Sequence, residues 1–249
     1  MSALSLKSPY ARSAPPLTVD ALRAEIDEVD GQLLALIERR QRLAKRIGAH
    51  KSTRPLKLHP GREAGVISRL ARAASPEAGI IVEPVWRELM SAGLAIQQEL
   101  KVAIWPGGRD DLSRLARARF GARAIYQGAS IPEEALDAAA DGTVVAVLAL
   151  RPESAWWSEL LSLPELCIFD ALGGRGPLDP IALAVGRIDA PALARGVAYR
   201  VSRGGGGEPQ GAPERTLGVD SGWRLGAVRE SGAASLERDL GWVGAAAVL

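Results

Sequence analysis

Cysteine is almost absent: the single Cys167 sits in the apolar run Leu166 to Phe169. No intramolecular disulfide can form, and the thiol reads as a small buried hydrophobe suited to a reducing compartment. Aromatic residues make up only 4% of the chain, a deficit that mirrors its bias toward Ala, Gly and Arg. An excess of charge of one sign is missing too, with Lys plus Arg at 31 against Asp plus Glu at 29. No overall field therefore argues for nucleic acid or an anionic membrane as a partner. No stretch approaches the ~20 apolar residues of a membrane span. Residues 1–18 hold Lys7 and Arg12 but no unbroken apolar core of a leader segment. These absences predict a cytoplasmic protein with a frayed tail over 1–18.

What is present is a soluble, globular composition, 47% hydrophobic with 24% charged residues, over a length that suits two modest domains. From Thr18, an N-cap candidate followed by Asp20, apolar residues fall at Leu22, Ile26, Val29, Leu33, Leu36, Leu43 and Ile47. This alternation of four and three predicts a helix over 19–51, interrupted in its apolar seam only by Arg40. At ~1.5 Å per residue such a helix is ~50 Å long, more than a compact unit of this size needs, so it is expected to pack against a partner chain. Arg54-Pro55 ends it, Pro60-Gly61 opens a second helix over 62–74, and a third is expected from Pro84 to about Leu100.

After Lys101 short β-rich runs alternate with helical ones, the pattern of a mainly parallel sheet with crossover helices. Strands are expected at 102–105, 124–126, 143–150, 166–169 and 181–185, and helices at 110–120, 132–140 and 156–161. Gly204 to Gly207 with Pro209, Gly211 and Pro213 makes 203–214 a linker-like loop. Segments 215–228 and 240–249 read as strands that pair into a small sheet of regulatory type.

Several polar residues fall on inward-facing stripes of the predicted helices. Arg40, Ala44, Ile47 and Lys51 share one stripe, Glu63 shares one with Ile67 and Leu70, and Gln97 follows Trp86, Met90 and Gly93. Taken singly, Arg40 fits a register-setting cation that reaches solvent, Glu63 a first-turn acid facing the helix dipole, and Gln97 a satisfied amide. Together they point to a polar pocket, since a buried polar group without a partner costs roughly 1 to 3 kcal/mol. Arg23 precedes Arg40 by ~25 Å of helix and lies on another face. One straight helix cannot bring the two arginines together, whereas an antiparallel pair of helices can.

Residues 22–51, LRAEIDEVDGQLLALIERRQRLAKRIGAHK, resemble the first helix of the all-helical chorismate mutases, with L-R-x-x-I-x-x-x-D, L-L-x-L-x-x-x-R and G-x-x-K. His59-Pro60-Gly61-Arg62-Glu63 resembles the family's D-P-x-R-E, and Leu94 to Gln98 its Gln-Gln ending. The resemblance implies an all-α domain of three helices over 19–100 that forms an intertwined homodimer with shared active sites. It is followed by an α/β domain over 101–249. The implied reaction is the intramolecular rearrangement of chorismate to prephenate in phenylalanine and tyrosine biosynthesis, which needs no metal or cofactor. Arg40 and, from the other protomer, Arg23 would bind the two substrate carboxylates, and Lys51 and Gln97 the ether oxygen of the breaking bond. Glu63 would accept from the ring hydroxyl, Arg62 would support the site, and Ala44, Ile47, Met90 and Leu94 would wall it. His59 departs from the family's Asp, and Gly93 from a Ser that some members place on a carboxylate.

Residues 102–121 faintly resemble the opening strand, turn and helix of prephenate dehydratases, but the Thr-Arg-Phe signature of that family is absent. The expectation is a degenerate relative with no named activity. Two other functions fit parts of the sequence: a non-catalytic dimeric module that senses a metabolite, and nucleic-acid binding through the basic run Arg39, Arg40, Arg42, Lys45 and Arg46. The charge balance argues against the second, which reads instead as a solvated face.

Overall fold

The computed structural model describes residues 18–50, 56–189, 192–193, 195–203, 215–220, 222–229 and 241–248. Three helices open the chain, α1 (Val19–His50), α2 (Pro60–Ala73) and α3 (Pro76–Ala95). They are followed by β1 (Lys101–Trp105), α4 (Leu112–Phe120), β2 (Ile125–Gly128), α5 (Pro132–Ala140) and β3 (Val144–Ala149). A 3-10 turn over Trp156–Leu161 then leads to β4 (Cys167–Leu172), β5 (Ala182–Gly186), β6 (Gly196–Arg203), β7 (Arg215–Asp220), β8 (Trp223–Arg229) and β9 (Trp242–Ala247). The tail over 1–17, Lys51 and the 204–214 loop lie outside the described residues.

The chain divides into one unit that ends at Arg40 and another that runs from Gln41. The described part of the first is the N-terminal two thirds of α1, begun by Thr18, whose Oγ1 accepts from the Ala21 amide. Its seam residues Leu22, Ile26, Val29, Leu33 and Leu36 are all exposed.

In the second unit α3 corrects the sequence expectation. It starts at Ser75, whose Oγ accepts from the Ala78 amide, with Pro76 in the first turn and Glu77 beside it. Pro84 lies inside the helix instead of opening it, on an exposed side where the lost backbone hydrogen bond is tolerated. The helix ends at Ala95, before Leu100.

The sheet also differs from expectation. It is mixed, in the order β2-β1-β3-β5-β4-β9-β6-β8-β7, with three parallel and five antiparallel neighbour pairs among the described residues. Apart from the parallel pair β4–β9, the parallel part is β2-β1-β3. Helices α4 and α5 cover its opposite faces, α4 through Leu112, Ala116 and Phe120, α5 through Ala135, Leu136 and Ala139. All six residues of β3 are buried because both faces are covered. Between β4 and β5 the chain is too short for a crossover helix and turns back through Gly173, Gly174 and Gly176, all at positive φ, so these strands run antiparallel. The C-terminal strands extend the same sheet and do not form one of their own, with β9 lying between β4 and β6. Over 156–161 the backbone is 3-10, and Trp156 and Trp157 are buried against the sheet, with Trp156 Nε1 donating to the Ala149 carbonyl at 2.9 Å.

Leu56, Leu58, Leu94 and Leu100 enter the core on the α4 side of this sheet. The end of α3 and the segment before α2 are thus anchored on the α/β region.

Candidate active site

The last turns of α1 meet the end of α3 where Gly48 is buried: a Cβ there would lie 2.6 Å from Gln97 Cγ. The Gln97 amide Nε2 donates to the Gly93 carbonyl at 3.1 Å, which holds the side chain along α3. Lys57 joins the two helix ends. Its Nζ donates to the Gly48 carbonyl at 3.2 Å and to the Gln97 carbonyl at 3.3 Å, and its backbone N–H to Gln98 Oε1 at 2.8 Å. A cation here satisfies carbonyls that a helix C-terminus leaves open, and it favours the negative end of each dipole.

Glu63 lies in the first turn of α2, with its side chain 15% exposed. Its Oε2 is 2.9 Å from Arg119 Nη2 and 3.7 Å from Arg87 Nη1. Arg119 Nε in turn donates to Asp170 Oδ2 on β4, and Arg87 reaches Glu83 at 3.4 Å. Two guanidiniums and two carboxylates form the centre of the cluster, so the charges that burial would penalise compensate one another. Burial alone would push the Arg119 guanidinium down; Asp170 and Glu63 outweigh it and hold the group above the usual arginine range. Arg87 is pushed down, by burial first and then by Arg119.

The remaining candidates are distributed as follows. Arg23 is exposed and pairs with Asp20 one turn earlier at 3.2 Å, a contact of the surface kind that contributes little. Arg40 is half-buried on the same helix, 17 residues further on, so by rise the two are ~25 Å apart within one chain. Arg62 is exposed, beside Glu63. Leu94 is buried, Ala44, Trp86 and Met90 are half-buried, and Ile47 is exposed. Lys51 lies outside the described residues. The His59 side chain makes no capping bond at the start of α2, a place where an Asp would cap readily.

The residues that sequence reasoning missed are Lys57, Arg87, Arg119 and Asp170. Asp170 had a local signal, a lone acid in the apolar strand CIFDAL. For Arg119 and Lys57 nothing local separates them from the chain's other cations, because all their partners except Gly48 lie 40 or more positions away. No group of three or more His, Cys, Asp or Glu that could hold a metal ion occurs among the described residues, and no described helix is long and apolar enough to cross a membrane.

No solved structure matches the chain. A bifunctional chorismate mutase/prephenate dehydratase of Aquifex aeolicus (strain VF5) is 36% identical over 88 residues, which cover 33% of this chain and 24% of that one. The chain thus spans about a quarter of the length of the curated relative it matches. Residues 22–98, from the first turn of α1 to just beyond the end of α3, match the family model of chorismate mutase type II.

Proposed function

We propose that residues 19–100 form a chorismate mutase, an isomerase that rearranges chorismate to prephenate on the route to phenylalanine and tyrosine, followed by an α/β domain over 101–249. The observation that carries this reading is the family match over 22–98, which runs through all three helices in order. The exposed apolar seam of α1 supports a homodimer, since Leu22, Ile26, Val29, Leu33 and Leu36 find no cover in their own unit. In that dimer two active sites are shared. A cytoplasmic location, a small-molecule substrate, and neither nucleic acid nor membrane as partner complete the proposal.

The reaction breaks one C–O bond and forms one C–C bond within a single molecule, so atoms balance without a nucleophile, metal or redox group. Arg40 and Arg23 of the partner subunit hold the two carboxylates in a conformer close to the transition state. Lys51 and Gln97 donate to the ether oxygen as negative charge develops on it, and a preorganised donor of this kind contributes about 3 to 4 kcal/mol. Glu63 accepts from the ring hydroxyl, with Arg62 beside it. The Gln97 amide now held by the Gly93 carbonyl has a second N–H for the substrate.

The test is the spectroscopic loss of chorismate on adding the purified full chain. Enzymatic turnover is expected. A folded protein without turnover would overturn the reading and leave the dimeric, metabolite-sensing module in its place.

A further inference from the structure

We propose that Arg119, supplied by α4 of the α/β region, is a positioning residue for the mutase site. Its contact with Glu63 fixes the carboxylate that receives the substrate's ring hydroxyl, so the helical site is completed by the second half of the chain. The proposal rests on the mutase reading and on Glu63 belonging to that site.

Both cations that hold Glu63 act on the same oxygen, Oε2, with Arg119 Nη2 the closer at 2.9 Å and Arg87 Nη1 at 3.7 Å. The side chain keeps 15% of its surface exposed. A carboxylate paired with a buried guanidinium loses rotational freedom, and with about four lone-pair sites on its two oxygens it keeps acceptor capacity for a hydroxyl.

Arg119 is itself held rigidly. It is 9% exposed, and its Nε donates to Asp170 on β4. The end of α4 is fastened to α3: Ser91 Oγ donates to the Phe120 carbonyl, and the Glu88 carboxylate accepts from the Ala122 amide at 3.1 Å. From the sheet side, the Tyr126 hydroxyl donates to the Gly121 carbonyl at 2.6 Å. Gly121 adopts φ +76°, and a Cβ there would lie 2.5 Å from Ser91 Cβ, so the close approach of α4 to α3 requires glycine. Asp170 on β4, Arg119 on α4 and Glu63 on α2 thus form one chain of contacts from the sheet to the mutase helices. Without α4, Glu63 would keep only the longer Arg87 contact.

The experiment is a double-mutant cycle on the full chain, reading kcat and KM for chorismate together with thermal unfolding. It compares wild type, Arg119→Lys, Glu63→Gln and the double variant. Lysine keeps the charge, so neither carboxylate is left uncompensated, but it cannot bridge Glu63 and Asp170 as the guanidinium fork does. Arg119→Lys is expected to lower kcat/KM about tenfold, and the double variant to fall no further than Glu63→Gln alone, as coupled residues do. Losses that multiply, or an Arg119→Lys variant that melts earlier with wild-type kinetics, would reduce Arg119 to a structural role and overturn the inference while the mutase reading stands. If Arg119→Lys does not fold, Asp170→Asn, which leaves Arg119 charged and facing Glu63, is expected to show the same non-additivity with Glu63→Gln, and additive losses there would overturn it equally. A wild-type chain without turnover would end the mutase reading, and this inference with it.

Discussion

Gly48 on α1 and Gln97 beyond α3 are in direct contact, and the contact leaves no room for a methyl group, since a Cβ on Gly48 would lie 2.6 Å from Gln97 Cγ and 3.1 Å from its Cβ. The glycine of the G-x-x-K segment therefore sets where the Gln97 amide rests.

Gly48→Ala is expected to displace that amide. Replacing a helical glycine gains up to about 1 kcal/mol in propensity, while forced overpacking costs about 1 to 3 kcal/mol, so the melting temperature should fall by a few degrees at most. Chorismate turnover should fall by about tenfold or more, because the proposed donor to the ether oxygen moves. Melting curves and turnover measured side by side check this; unchanged turnover would remove Gln97 from the reacting centre.

Arg40→Ala and Lys51→Ala are each expected to lower turnover by roughly 10² to 10³, the loss of about 3 to 4 kcal/mol of preorganised charge contact. Far-UV circular dichroism should stay nearly unchanged, since neither substitution breaks a helix. Near wild-type rates in either variant would remove that residue from the site.

Alkaline stability follows from two tyrosines. Burial pushes the Tyr126 hydroxyl up to about 12 against the opposing effect of Arg117 beside it, and burial with Asp170 pushes Tyr199 higher still. The unfolded chain titrates these hydroxyls near 10. The folded state therefore keeps protons that the unfolded state has released, and the contribution, complete below about pH 10, is lost as the pH rises toward 12. The urea midpoint should drop over that window. Tyr126→Phe should flatten the slope, and a variant with an unchanged slope would contradict the assignment.

Local signals carried the helical half of the fold. Thr18, Asp20 and the spacing from Leu22 to Ile47 mark α1, and Pro60 marks α2, as observed. At α3 two prolines competed. Pro84 offers one start, but the capping run Ser75-Pro76-Glu77 is the true signal, because a proline in the first turn costs no hydrogen bond and one inside a helix can be tolerated on its exposed side. Through β5 the strand positions were legible from apolar runs, whereas 215–228, read as one strand, holds both β7 and β8, and the strand order was not legible. That β9 lies parallel beside β4, with Gly244 opposite Ile168, depends on pairing that no local pattern encodes. The same holds for the cluster: Glu63 stood out on its stripe, but its partners Arg119 and Asp170 come from distant elements.

The central claim is a chorismate mutase site shared between two chains, because Arg23 lies ~25 Å along its own helix from Arg40. The measurement is the turnover of co-refolded Arg23→Ala and Lys51→Ala chains, each inactive alone. Random pairing makes about half the dimers mixed, and each mixed dimer has one intact and one doubly damaged site, so about a quarter of wild-type activity should return. No recovery from chains shown to have formed mixed dimers would mean that Arg23 and Lys51 act from one chain, and would contradict the shared site.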